Sequence, residues 1–89
     1  MRAVITVIGK DMVGILARVS NICFKNNANI VEVTQSVLQD MFAMIMLVDI
    51  SSASISCAAL SDEMNILAKE LSLSIHVMHE DVFNTMHHI

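Results

Sequence analysis

The chain has 89 residues, 55% hydrophobic and 16% charged, which points to one folded domain with one core and excludes a disordered chain. Its formal net charge of -4, with only five scattered Lys and Arg, excludes the clustered positive charge that nucleic acid or an anionic membrane surface demands. The longest apolar run, residues 41–48, lies between Asp40 and Asp49 and is far shorter than the ~20 residues of a membrane span.

Lys10 and Asp11 interrupt the N-terminal apolar stretch before any signal-peptide cleavage site, so a cytoplasmic location is expected. Cys23 and Cys57 both fall in apolar helical patterns, and reduced core thiols are expected rather than a disulfide. So apolar a small domain also suggests that a partner covers part of its surface.

Residues 2–8 are rich in β-branched side chains and stop at Gly9, which predicts a first strand. After a short loop, Ile15, Leu16, Val19, Ile22 and Cys23 recur at helical spacing with Arg18, Asn21 and Lys25 opposite, predicting an amphipathic helix. Asn26, Asn27, Ala28 and Asn29 end it, because Asn tolerates the left-handed conformation just past a helix. A second strand over residues 30–38 alternates Val31, Val33 and Val37 with Glu32, Thr34 and Ser36, and a third over residues 41–50 is apolar almost throughout, with a tight turn near Gln39 and Asp40 between them. Residues 51–56 offer several serine caps for a second helix marked by Leu60, Met64, Leu67, Ala68 and Leu71. Leu73, Ile75 and Val77 then alternate with Ser74, His76 and Met78 as a fourth strand, and a short helix over residues 80–87 places Val82, Phe83 and Met86 on one side.

The order is βαββαβ, an α+β ferredoxin-like sandwich: a four-stranded antiparallel sheet in order 4-1-3-2 with two helices on one face and a short C-terminal helix. Right-handed crossovers are expected to set strands 1 and 3 side by side in the middle, where the crossover argument reads them as parallel. Their continuous apolar character suits central strands, and the alternation of strands 2 and 4 suits edges. With both long helices on one face, one of the two rows of strand 3, Phe42-Met44-Met46-Val48 or Ala43-Ile45-Leu47, has no helix over it. A homo-oligomer, most simply a dimer through paired edges or stacked sheet faces, is the expected cover.

This architecture serves several chemistries, and the site has to discriminate among them. RNA reading needs exposed aromatics on the central strands, but strand 1 has none and strand 3 has only Phe42. A soft-metal carrier needs thiols in the loop after strand 1, and that loop has none. Phosphoryl chemistry needs a cation aimed at the phosphate, whereas Lys10 is the sole basic residue of the loop and Arg18 lies about a turn into the helix. No nucleophile is paired with a base, so no enzyme and no cofactor is expected.

The loop Gly9-Lys10-Asp11-Met12-Val13-Gly14-Ile15-Leu16-Ala17 resembles the Gly-x-Asp-x-x-Gly motif of the ACT domain family, where the first strand runs through such a loop into the first helix. The resemblance covers the whole chain and is closest to short stand-alone ACT proteins related to glycine-cleavage regulators. Asn29-Ile30, Gln35, Asp49, Glu80-Asp81-Val82-Phe83 and Met86-His87 also look similar. Val13 stands where many ACT loops have Pro, and His88 where relatives have Arg. The resemblance implies a regulatory domain whose small ligand, an amino acid, sits between the loop of one subunit and the start of strand 2 of another.

The residues themselves allow two readings of this loop. In one, Asp11 merely caps the helix and Gly14 lets helix and strand approach. In the other, Gly14 uncovers backbone N–H groups at a positive helix end for a carboxylate, and Asp11 or Asn29 meets the ammonium group. In the shared site that the ACT resemblance implies, Met12, Val13, Ile15 and Leu16 would then select the ligand's side chain, with Asn29 and Ile30 of a neighbouring copy completing it. The alternative function is an interaction module that binds a protein partner through the sheet face without a small ligand.

His76 and His79, three apart on a strand, face opposite sides, and His87 and His88 diverge on a helix, so solvated or capping histidines are expected rather than a metal site. The eight Met residues mostly fit core positions.

Overall fold

In the computed structural model residues 1–10 and 14–86 are described, Leu38 and Met86 by backbone alone. The elements are β1 (Arg2–Lys10), α1 (Ile15–Lys25), β2 (Asn29–Leu38), β3 (Met41–Asp49), α2 (Cys57–Leu71), β4 (Ser74–His79) and α3 (Glu80–Met86). They build one sheet in the order β2-β3-β1-β4, as the alternation pattern predicts.

Every neighbouring pair is antiparallel, including β1 with β3, which corrects the parallel central pair. The α1 crossover does return β2 in the direction of β1, but the β2–β3 hairpin reverses the chain before β3 inserts between them. A second correction concerns Gly9. It does not stop β1 but lies inside it, opposite Phe42, and the strand continues to Lys10.

Ala3, Ile5 and Val7 of β1 and Phe42, Met44, Met46 and Val48 of β3 point to the helical face and form the core with Ile15, Val19 and Cys23 of α1 and Leu60, Met64 and Leu67 of α2. Burying each large apolar side chain contributes about 1.5–3 kcal/mol, so this row of β3 dictates which face the helices cover. Asn27, at φ 59, turns the chain out of α1 in the left-handed conformation expected of the Asn cluster. Ser56 is the serine that caps α2, its hydroxyl accepting the Ala59 N–H at 3.1 Å.

The opposite face is not left wholly bare. α3 packs on β1 and β4, and Val4, which points away from α1 and α2, is only 3% exposed. Beyond α3, Ile8, Met41 and Ile45 stay exposed. Three of the Met residues, Met44, Met46 and Met64, fill the core, whereas Met1 and Met41 are exposed. No described helix is long and apolar enough to cross a membrane.

Candidate functional site

At the end of β1 two glycines do different work. A Cβ on Gly9 would meet the far end of the flexible Leu73 side chain at the entry to β4, so a larger residue there asks Leu73 to shift. Gly14 has the opposite surroundings: among the described residues a Cβ would meet nothing within 4 Å, yet φ is +87°, a conformation that L side chains rarely adopt. Close approach of a side chain, that of Leu73 between α2 and β4, therefore belongs to Gly9, and Gly14 supplies a left-handed turn.

Gly14 itself is the N-cap of α1, its carbonyl accepting the Arg18 N–H at 3.0 Å. The capping position thus carries no side chain at all, and the first N–H groups of a helix have no partner within it. Ile15 is 2% exposed and belongs to the core, so it can offer a ligand its backbone only, whereas Leu16 is 37% exposed at the surface. Asp11, Met12 and Val13 lie outside the described residues.

Asn29 and Ile30 are far from this loop within one chain. Register places Asn29 beside Asp49 and Arg2 at one end of the sheet, and Leu38 beside Met41 and Lys10 at the other. Eight residues of strand, at roughly 3.3 Å each, separate the two ends by about 26 Å. The two predicted halves of the site do not meet in a single chain.

The Asn29 end is rigidly built by residues that the sequence pattern marked only as a helix stop. Asn26 is buried, its Nδ2 donates to the Ile22 carbonyl at 2.9 Å, and its own carbonyl accepts the Ser54 N–H at 2.9 Å. Asn27 Nδ2 donates to the Ser52 carbonyl at 2.9 Å, tying the α1–β2 turn to the β3–α2 loop. Nearby, Asp49 accepts the Ser51 N–H at 2.9 Å, and hydrogen bonding from Ser51 holds its carboxyl below the usual carboxylate range.

The expected spread of histidines holds where it is described. His76 sits opposite Thr6 on the outer face and His79 opposite Ala3 on the other. His79 Nδ1 accepts the Asp81 N–H at 3.1 Å, capping the start of α3. Among the described residues no group of three potential metal ligands comes together. Cys23 and Cys57 are free, and burial pushes the Cys23 thiol up to about 11. A cleft of about 300 Å³ opens on the outer sheet face between Phe83, Met78, Thr6, Ile8, Ala43 and Ile45.

Comparison with known proteins gives the same fold, and residues 2–78 match the ACT domain. The chain belongs to the ACT domain family. Over 88 residues this ACT domain is 47% identical to a UPF0237 protein of Methanopyrus kandleri, covering 99% of this chain and 98% of that one. It superposes on the ACT domain protein from Streptococcus pneumoniae with a TM-score of 0.81 at 32% identity, covering 93% of each chain. A putative glycine cleavage system transcriptional repressor shares the fold, with a TM-score of 0.73 and 20% identity over 89% of this chain and 47% of its own.

Proposed function

We propose that this ACT domain is a regulatory module that binds an amino acid and works as a homo-oligomer, most simply a dimer, rather than as a catalyst. One observation carries the reading: Gly14, with a left-handed φ, begins α1 as an N-cap that has no side chain. Backbone N–H groups at a positive helix end suit a carboxylate, and a carboxylate next to an ammonium group defines an amino acid. The proposed site comprises Asp11, Met12, Val13, Gly14, Ile15 and Leu16 of one copy and Asn29 and Ile30 of another. The distance between these halves supports sharing, because a second copy can bring a β2 start beside a β1–α1 loop where one chain cannot. Ligand held between copies would stabilise the oligomer by mass action.

Calorimetry against the twenty amino acids tests this, with Asp11→Ala and Gly14→Val beside the native chain. Heat from one or a few amino acids, lost in both variants, is the expected result. Silence throughout, with no thermal shift, refutes the reading.

A second reading is favoured by the outer sheet face, where Ile8 and Ile45 are 46% and 44% exposed beside the Phe83 cleft. A partner protein regulated through that face would lose binding in Ile45→Lys, which leaves the Gly14 end untouched. Capture of such a partner that survives Ile45→Lys counts against this second reading.

A further inference from the structure

Phe24 of α1 and Ile66 of α2 are 82% and 68% exposed, large apolar side chains on the sides of the two helices that face away from the sheet. Between the helices lies a groove of about 270 Å³ floored by Ile22 and Leu67. Two ion pairs bridge it, Arg18 to Glu70 at 2.9 Å and Lys25 to Glu63 at 3.3 Å, and each of the four side chains stays between 30% and 62% exposed.

These bridges fix how the helices sit. Arg18 precedes Lys25 along α1 whereas Glu70 follows Glu63 along α2, so the helices run antiparallel, with the bridges about 10 Å apart. By the same alignment Phe24 and Ile66 lie within about 3 Å of one height along the helix axes. Charge is divided between the helices: α1 has Arg18 and Lys25 and no carboxylate, whereas α2 has Asp62, Glu63 and Glu70 against Lys69 alone.

We infer that a second copy of this chain docks on this helical layer, about a twofold axis that runs along the groove, with α1 of each copy over α2 of the other. Rotation about that axis preserves height, so Phe24 of one copy meets the partner's Ile66, and the reverse contact forms on the other side of the axis. On the axis itself each bridge faces its own copy head to tail. Arg18 meets the partner's Glu70 and Lys25 meets the partner's Glu63, which closes two rings of four alternating charges between the two apolar contacts. Laying α1 on α1 and α2 on α2 instead would oppose cations to cations and carboxylates to carboxylates, so charge selects the crossed arrangement. At about 22 Å by 20 Å the layer buries on the order of 700–900 Å² in total, the size of a weak, reversible contact. Because height is preserved, Gly14 of one copy is level with the partner's Gly14 rather than with the partner's Asn29. The contact is therefore independent of the amino-acid reading, and would join ligand-binding oligomers into a larger assembly.

Disulfide capture in a Cys57→Ser background tests the arrangement, since Cys57 is the partly exposed thiol. Mild oxidation is expected to link Phe24→Cys chains to Ile66→Cys chains in a mixture more than either links to itself. Arg18→Glu, Lys25→Glu, Glu63→Lys and Glu70→Lys placed together in one of the two chains keep the bridges within it but oppose like charges across the contact. The mixed link should then fall about fivefold or more, and return when both chains carry the four changes. A link that survives the mismatch, a loss that fails to return, self-links that equal the mixed one, or no link with about 0.5 mM protein overturns the inference. The last of these is the outcome expected if a different protein occupies the layer.

Discussion

Replacing Gly14 by alanine isolates a backbone effect with almost nothing else attached. Among the described residues the Cβ would meet no atom within 4 Å, so no overpacking against them enters. What remains is φ of +87°, where an L residue loses about 1–2 kcal/mol relative to glycine. For a domain of this size that corresponds to a fall in melting temperature of roughly 4–16 °C. Urea unfolding should show the loss as a lower midpoint at unchanged m-value. The ordering of variants sharpens the test: Asn, which tolerates the left-handed region, should lose less than Ala, and β-branched Val should lose more. Gly9→Ala supplies the contrast, since its cost comes from the Leu73 side chain and should shrink in the Gly9→Ala/Leu73→Ala double variant. If Gly14→Ala is neutral within about 0.3 kcal/mol, or if Asn and Val are equivalent there, the left-handed turn at the start of α1 is wrong.

Other outcomes follow from single contacts. Ser56→Ala should cost about 1 kcal/mol in urea unfolding, because the Ala59 N–H loses its acceptor at the start of α2. Met64→Ala, at a fully buried position, should cost about 2–5 kcal/mol, and a value near zero would contradict its place in the core. Cys23 should resist thiol reagents in the folded chain at pH 8 while the partly exposed Cys57 reacts, since its thiol is pushed from the ordinary 9.0 to about 11. The raised value means that burial of the neutral thiol stabilises below pH 9.0, and that this contribution is lost as pH rises toward about 11. Asp49 shows the opposite sign: its carboxyl should titrate below the ordinary 3.8 by NMR, and Asp49→Asn should abolish that transition.

Much of the fold was legible because its signals are local and periodic. The Leu60, Met64, Leu67 and Ala68 stripe and the Asn26–Asn29 stop depend only on neighbours in the chain, and both appear where predicted. Strand direction was misread at the centre because it depends on which strands become neighbours, a property of the assembled sheet. The outer face was expected to lack a helix because α3 is only seven residues long, too short for its pattern to tell where it packs. Gly9 was read as a strand stop for a similar reason, since Leu73, the side chain packed close against it, is 64 residues further on.

The candidate site divides in the same way. By itself the sequence determined the residue types of the loop, the βαββαβ order and the membership that the Gly-x-Asp-x-x-Gly spacing suggested. Only the tertiary structure decided that Gly14 takes a left-handed φ while Gly9 lies close against Leu73, and that Ile15 faces the core while Leu16 faces out. It also decided that Asn29 and Lys10, where β1 leads into the loop, lie at opposite ends of the sheet. The physical reason is that dihedral angles, burial and separation are set by contacts between segments distant in the chain, whereas patterning and turn chemistry are set by residues a few positions apart.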